Sequence, residues 1–205
     1  AITVVTAQNT LGVDGIHEVP VNFIDTQMRA ALDDLGADCI KIGMLHSSEV
    51  VETVAAALSD IELDIPIVLD PVMVAKGGAR LLKDDAITSL KNCLLGRAAL
   101  LTPNVPEAEV LTGTKISSVE DLCSTGQALL ELGASAVLMK GGHLGGDIIT
   151  DVFMDNSVKQ NFSSSRQYTV HTHGTGCTLA SACAAGLAQD LTLIEAVSRA
   201  RDYVQ

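Results

Sequence analysis

The chain has no apolar run long enough to span a bilayer, and Ala1 to Val5 lack the basic flank of a signal peptide. It also has little positive charge, with 13 lysines and arginines against 25 aspartates and glutamates and a net charge of −12. Nucleic acids and anionic membranes both bind basic surface, so we expect neither as a partner. These absences predict a soluble, cytoplasmic protein in which an anionic ligand depends on local N–H groups and a few cations.

Paired cysteine motifs are absent as well. The five cysteines form no CxxC pair and are odd in number, which fits reduced thiols better than a disulfide framework and argues against a zinc site. The length of 205 residues and the hydrophobic content of 47% suit one large α/β domain. We therefore expect a single domain over residues 1–205.

Apolar runs rich in β-branched residues alternate with segments of helical spacing. The predicted strands are Cys39–Ile42, Ile65–Leu69, Ala98–Thr102 and Ala136–Lys140. The predicted helices are Val21–Leu35, Glu49–Leu58, Asp84–Leu95, Val119–Leu132, Thr178–Leu187 and Leu193–Val204. This alternation predicts a mostly parallel sheet with helices on both faces. Short polar-flanked runs near 151–154 and 160–162 predict an antiparallel edge.

The segment His171 to Thr178 combines glycines with the start of an alanine-rich apolar run. A helix that opens on such a turn directs N–H groups and its positive dipole end at one point, which predicts an anion site. Cys177 lies at that positive end, so we expect its thiolate to be favoured. The alternative is a turn that starts a core helix, with Cys177 as a small buried hydrophobe.

Polar residues follow the predicted strands, at the edge where ligands of parallel sheets bind. Asp70 and Glu107 offer hard oxygens suited to Mg²⁺, and Lys140 offers a point charge to a phosphate. After Lys140, two glycines permit close backbone approach. The structural alternatives are that Asp70 ends a strand, that Glu107 stabilises the first turn of a helix and that Lys140 is a solvated strand end.

Six segments in order carry a resemblance to a known family. They are Thr6-Ala7-Gln8-Asn9-Thr10, Lys41-Ile42-Gly43-Met44-Leu45, Asp70-Pro71-Val72-Met73-Val74, Asn104-Val105-Pro106-Glu107, Lys140-Gly141-Gly142-His143 and His173-Gly174-Thr175-Gly176-Cys177. Together they resemble the hydroxymethylpyrimidine and phosphomethylpyrimidine kinases of thiamine biosynthesis, which belong to the ribokinase-like superfamily. The resemblance implies a three-layer α/β/α sandwich with a small antiparallel edge. It also implies two ATP-dependent phosphorylations, of hydroxymethylpyrimidine and of its monophosphate.

The resemblance further implies roles for individual residues. Gln8 binds the pyrimidine nitrogen and amino group, Met44 and Val72 pack on its ring, and Asp70 and Glu107 hold Mg²⁺ and its waters. Read without the family, Gln8 is a strand-end amide and Met44 a core residue.

The remaining implied roles belong to the phosphate site. Lys140 contacts the transferring phosphate of ATP, and Gly174, Thr175 and Gly176 form the anion hole. Cys177 is implied as the catalytic base, at a position where most of the superfamily has aspartate.

The resemblance implies a segment before Ala1 and a tail after Gln205, so we expect the chain to be part of a longer protein. Val74 to Leu82 are expected to form a mobile flap. Related cysteine-containing pyridoxal kinases tend to carry a second cysteine where this chain has Ala75, which favours the pyrimidine enzyme. A pyridoxal kinase and a catalytically weak ligand-binding homologue remain as alternatives, and a homodimer is expected from the family.

Overall fold

A computed structural model of the chain describes residues 1–60, 65–74, 81–169 and 171–205. The strands are β1 (Val4–Gln8), β2 (Val13–Glu18), β3 (Ile40–Ile42), β4 (Ile67–Leu69), β5 (Leu100–Leu101), β6 (Ala136–Met139), β7 (Ile148–Asp155) and β8 (Lys159–Ser165). The helices are α1 (Val21–Asp34), α2 (Ser48–Ser59), α3 (Asp84–Cys93), α4 (Val105–Thr112), α5 (Val119–Glu131), α6 (Thr175–Leu187) and α7 (Leu193–Val204). Within these ranges, no helix combines the length and the apolar character needed to cross a membrane.

The main sheet has the strand order β3-β4-β5-β6-β7-β8. Strands β3 to β6 are parallel, whereas β7 and β8 are antiparallel. The predicted mostly parallel sheet with an antiparallel edge is therefore confirmed. Its parallel strands end side by side, which brings the residues that follow them to one edge.

Strands β1 and β2 form a separate antiparallel hairpin that the sequence analysis did not predict. Its turn is closed by Asn9, whose side chain accepts hydrogen bonds from the N–H groups of Leu11 and Gly12, a known role of asparagine in turns. The hydroxyl of Thr3 donates to the carbonyl of Met44 at 2.7 Å, which places the hairpin beside the end of β3.

Alternating strand residues build two cores, one on each face of the main sheet. Leu69 and Leu101 pack in a cluster with α1 to α5, whereas Val68 and Leu100 pack in a second cluster with α6 and α7. All four side chains are fully buried. The result is the expected three-layer α/β/α arrangement.

Local polar residues define where several helices begin. Capping boxes start α4, α5 and α7, through Asn104 with Glu107, Ser118 with Asp121 and Thr192 with Glu195. Helix α6 begins after Gly174, which has a left-handed φ of 78°. The helix therefore starts three residues earlier than predicted, and Cys177 lies in its first turn.

The predicted flap falls largely outside the described residues. Positions 75–80, which include Ala75, are not among them, so this prediction stays a prediction.

Candidate active site

Three polar residues follow adjacent parallel strands and extend the backbone ladder. The N–H of Asp70 donates to Ile42 at 2.9 Å, that of Thr102 to Leu69 at 2.9 Å, and that of Lys140 to Pro103 at 2.9 Å. Because these backbones are held in register, their side chains meet at one edge of the sheet. The prediction that residues following the strands gather there is confirmed.

Asp70 is the centre of this cluster and is only 1% exposed. Its Oδ1 accepts hydrogen bonds from Lys140 Nζ at 3.0 Å and from Thr102 Oγ1 at 3.3 Å. Its Oδ2 lies 3.8 Å from Lys41 Nζ. One buried carboxylate therefore holds two lysines, so Asp70 does more than end a strand.

One carboxylate oxygen of Glu107 lies close to two different groups. Its Oε2 accepts the Asn104 N–H at 2.8 Å in the capping box of α4 and lies 4.0 Å from Lys140 Nζ. Burial raises the pKa of Glu107 to about 7, with a contribution from Asp70 and against the opposing charge of Lys140. Glu107 is therefore both a residue in the first turn of a helix, as the structural alternative has it, and a neighbour of Lys140.

Lys140 is largely buried between these carboxylates. Burial by itself lowers the pKa of Lys140, but the charges of Asp70 and Glu107 outweigh it and hold the pKa above its usual range. A Cβ placed on Gly176 would lie 3.2 Å from Lys140 Nζ, so the ammonium group approaches the first turn of α6. The solvated alternative for Lys140 does not apply.

The environment of Cys177 differs from the prediction. Desolvation and then the negative charge of Asp70 raise the pKa of the Cys177 thiol, while Lys41 and Lys140 oppose the rise. The expectation that the site favours the thiolate was therefore wrong, because desolvation of the thiol, together with the negative charge of Asp70, outweighs the positive charges of Lys41 and Lys140. Cys177 is nevertheless exposed as a residue, so it is not the small buried hydrophobe of the alternative, although its neighbours partly desolvate the sulfur.

The glycine that precedes α6 and the glycine that follows Lys140 serve different purposes. Gly174 takes the left-handed conformation at the start of α6, and the hydroxyl of Thr175 donates to Thr172 within the same turn at 3.0 Å. A Cβ on Gly141 would meet the carbonyl oxygen of Thr150 at 2.0 Å. The close backbone approach at Gly141 is therefore made to strand β7.

The predicted substrate residues stand at or beyond the ends of three strands, two in the main sheet and one in the separate hairpin. Met44 and Val72 are half-buried just beyond β3 and β4. Gln8 is exposed at the end of β1, and its Oε1 accepts a hydrogen bond from Thr6 Oγ1 at 3.3 Å. Gln8 makes no other side-chain hydrogen bond to the described residues.

Lys41 and Thr102 are site residues to which the sequence analysis gave no role. A usable signal for Lys41 was present, since it is a lysine between two isoleucines in a short apolar strand, followed by Gly43. A charge at such a position requires a partner. Thr102 had no comparable signal.

Asp70 and Glu107 also provide the oxygens that a divalent ion requires. The described residues contain no group of three or more His, Cys, Asp or Glu side chains that could hold a metal ion. Two buried carboxylates on either side of Lys140 fit Mg²⁺, which keeps several waters and uses one or two protein carboxylates.

Comparison with known proteins connects this geometry to a family. The family model described as phosphomethylpyrimidine kinase matches residues 1–205. The chain is 46% identical over 203 residues to the thiamine biosynthesis bifunctional protein ThiED of Geobacter sulfurreducens, covering 99% of the chain but 41% of that protein. It is 43% identical to the hydroxymethylpyrimidine/phosphomethylpyrimidine kinase of Bacillus subtilis, covering 100% of the chain and 76% of the relative.

Solved structures agree in fold. The phosphomethylpyrimidine kinase of Clostridium difficile has a TM-score of 0.86 at 36% identity and covers 99% of this chain and 83% of its own. A Staphylococcus aureus pyridoxal kinase in complex with AMP-PCP and pyridoxal has a TM-score of 0.87 at 30% identity, covering 98% and 72%. These neighbours confirm the ribokinase-like fold class, and the names of the curated relatives agree with the pyrimidine interpretation. The chain belongs to the phosphomethylpyrimidine kinase family of phosphotransferases.

Proposed function

We propose that this chain transfers the γ-phosphoryl group of ATP to the hydroxyl of hydroxymethylpyrimidine and then to the resulting monophosphate, within thiamine biosynthesis. One observation carries the proposal. Lys140, held by Asp70 and Glu107, reaches the first turn of a helix whose third residue is Cys177. A cation, a helix N-terminus and a proton acceptor are the groups that phosphoryl transfer to an alcohol requires.

Charge neutralisation falls to Lys140 and the start of α6. Lys140 binds the transferring phosphoryl group, and the N–H groups of Gly174, Thr175 and Gly176 receive its negative charge. Because phosphoryl transfer depends mainly on positioning and electrostatics, it is useful that two carboxylates hold the largely buried Lys140 side chain in place.

The proton of the alcohol goes to Cys177. As the substrate oxygen bonds to the γ-phosphorus, its proton passes to Sγ of the thiolate, and the bond from that phosphorus to the bridging oxygen of ADP breaks. The raised pKa of the Cys177 thiol makes the thiolate a strong acceptor but a minor species at neutral pH. In the second phosphorylation the attacking phosphate oxygen is already ionised, so positioning dominates.

Asp70 and Glu107 would hold Mg²⁺ through its waters. The ion would supply further neutralisation of phosphate charge. Glu107 is well placed to respond to it, because a pKa of about 7 lets this carboxyl carry either charge state near neutrality.

The heterocycle is assigned to the space at the ends of β1, β3 and β4. Met44 and Val72 supply apolar contact there, and Gln8 supplies an amide that both donates and accepts. We further propose one kinase domain over residues 1–205 and a cytoplasmic location, both from length and composition, and a homodimer from the family resemblance. Sedimentation of the purified chain tests the dimer.

The activity is tested with a coupled assay for ADP release on hydroxymethylpyrimidine, its monophosphate and pyridoxal. The expected result is turnover of both pyrimidines, with kcat/KM for pyridoxal lower than for hydroxymethylpyrimidine. The second candidate, a pyridoxal kinase, is favoured by the likeness to the Staphylococcus aureus enzyme solved with pyridoxal. A preference for pyridoxal would establish that candidate, and no turnover of any of the three would favour a ligand-binding homologue.

A further inference from the structure

Lys41 is a second cation at this site and approaches Oδ2 of Asp70, whereas Lys140 approaches Oδ1. Ile40 and Ile42 pack with the core beneath α1 to α5, whereas Cys39 packs with the core beneath α6 and α7. Because side chains alternate along a strand, Lys41 stands on the α6 face of β3. It is on the edge strand of the main sheet, at the end that carries Met44.

The side chain of Lys41 bends toward the carboxyl end of its strand. Its Nζ lies 2.6 Å from the position that a Cβ on Gly43 would occupy, so glycine at that position leaves the path open. The ammonium group reaches Asp70 Oδ2 at 3.8 Å, and the side chain is 21% exposed. The charge is therefore delivered to the edge where the ligands of parallel sheets bind.

The two lysines differ in how well they are neutralised. Lys140 donates a hydrogen bond to Asp70 at 3.0 Å and also faces Glu107. Lys41 has one long ion pair and, among the described residues, no hydrogen bond. An ammonium group has three N–H donors, so a largely buried one that uses none of them on the described residues is suited to an anion.

A phosphorylated substrate brings such an anion. A phosphate monoester carries a charge of about −1.5 to −2 near pH 7, and in the second phosphorylation it must approach the triphosphate of ATP within a protein of net charge −12. Lys140 is committed to the transferring group. A cation on the substrate side would reduce the repulsion between the two phosphates.

We propose that Lys41 binds the phosphate already present on the monophosphate substrate and so permits the second phosphorylation at a site that also accepts a neutral alcohol. This inference rests on the proposed function. In that step an ionised oxygen of the bound phosphate bonds to the γ-phosphorus of ATP, and the bond to the bridging oxygen of ADP breaks. Lys41 donates hydrogen bonds to the other oxygens of the substrate phosphate and exchanges no proton. Lys41 also lowers the pKa of Cys177, so its loss should slow phosphorylation of the alcohol as well. The loss for the monophosphate should be larger.

The test uses Lys41→Met and Lys41→Gln, which remove the charge, and Lys41→Arg, which keeps it. Lys115→Met is the matched control, because the Lys115 side chain is 92% exposed and pairs with Glu109 on α4. Each variant is assayed separately with the alcohol and with the monophosphate. Titration calorimetry without ATP measures the Kd for the monophosphate and, as the probe of the anion alone, for inorganic phosphate.

For the neutral variants we expect the Kd for the monophosphate to rise by about 10- to 100-fold, the effect of losing a charge-assisted hydrogen bond. Their kcat/KM for the monophosphate should fall at least about tenfold more than that for the alcohol. Lys41→Arg should recover most of the loss, and Lys115→Met should match the unsubstituted chain. Equal losses on both substrates, or an unchanged Kd, would overturn the proposal.

Failure of the proposed function has a different signature. If the unsubstituted chain turns over neither pyrimidine but binds the monophosphate, the Kd values still decide the role of Lys41. If it binds no monophosphate at all, the inference is overturned. Thermal melts identify a variant that fails to fold, and in that case the remaining neutral variant decides.

Discussion

Asp151 and Arg201 form a buried ion pair that joins strand β7 to helix α7. Arg201 Nε donates to Asp151 Oδ2 at 2.8 Å, and each residue is 8% exposed. The other carboxylate oxygen, Oδ1, accepts the N–H of Gly141 at 2.8 Å. Because Gly141 directly follows Lys140, this pair connects the end of β6 at Lys140 to the layer that carries α6.

Arg201→Met should be strongly destabilising. The substitution leaves the Asp151 carboxylate buried without its cation, and breaking a buried pair in this way typically costs about 3–5 kcal/mol. Urea unfolding at pH 7 measures the free energy of unfolding. Arg29→Met is the control, because Arg29 pairs with Asp25 and Asp60 on the surface and should change stability little. Equal effects of the two substitutions would contradict the prediction.

Cys177→Ala should impair phosphorylation of the alcohol more than that of the monophosphate. Only the alcohol must lose a proton, and removal of a general base typically costs about 10²- to 10⁴-fold. Rates on the two substrates at saturating ATP measure the difference. Ser181→Ala is a matched control on the same helix, since its hydroxyl donates to the Cys177 carbonyl and has no assigned chemical role. An equal loss in both steps would leave Cys177 with a packing role.

The first phosphorylation should also depend on pH in a characteristic way. The pKa of Cys177 is raised above its usual value, so the thiolate fraction, and with it kcat/KM for the alcohol, should increase as pH rises through the neutral and mildly alkaline range. Cys177→Asp should shift this rising limb to lower pH, because a carboxylate ionises more readily than a thiol. A profile for Cys177→Asp that overlies the parent profile would exclude Cys177 as the titrating group.

Glu107→Gln should remove a pH dependence of stability. The folded-state pKa of Glu107 is about 7 and its unfolded value is 4.5, so the folded chain binds more protons between these pH values. Stability from this group is therefore present below pH 4.5 and falls as pH rises through 7, by about 3 kcal/mol in total. Glutamine retains an acceptor for the Asn104 N–H.

Urea unfolding at pH 5 and pH 8 tests whether the free energy of unfolding falls as pH rises. The parent chain should lose more stability between the two values than Glu107→Gln does. Glu120→Gln, the same substitution at an exposed position on α5, serves as control and should follow the parent curve. Identical pH dependence in the parent and Glu107→Gln would show that burial does not hold a proton on Glu107.

Asp70→Asn should raise the Mg²⁺ concentration needed for half-maximal rate, because the amide keeps the shape of the side chain but loses the charge that holds the ion or its waters. It should also lower the melting temperature, because Lys41 and Lys140 lose their shared counter-charge. Rates against Mg²⁺ at saturating ATP, with melts alongside, separate the two effects. Asp33→Asn on the exposed part of α1 is the control. A lower melting temperature with an unchanged Mg²⁺ dependence of the rate would leave Asp70 as a structural partner of the lysines.

Most of the architecture could be predicted from the chain itself. The predicted helix Leu193–Val204 has the observed bounds, and Val21–Leu35 is one residue longer than α1. These elements were predictable because apolar periodicity and end residues act locally. The hairpin of β1 and β2 was not predicted although Asn9 marked its turn, because its two short strands are mostly exposed and carry a weak apolar pattern.

The approximate location of the site could also be predicted from the sequence, since polar residues that follow parallel strands meet at one edge of the sheet. Asp70, Glu107 and Lys140 do meet there, next to Gly176. The pKa shifts at the site could not be predicted from the sequence. Cys177 was expected to favour its thiolate, yet its pKa is raised, because the fold desolvates the thiol and also brings Asp70 beside it from more than 100 positions away in the chain.

Local sequence thus determined which segments become helices and strands and which residues stand at their ends, because propensity, capping and periodicity act over a few residues. Only the tertiary structure decided that Asp70 is shared by two lysines, that Glu107 is buried enough to hold a proton near neutrality and that the Lys41 side chain donates no hydrogen bond to the described residues. The reason is physical. Coulomb and desolvation energies depend on distance and burial in space, and residues from different strands acquire these only when the sheet forms.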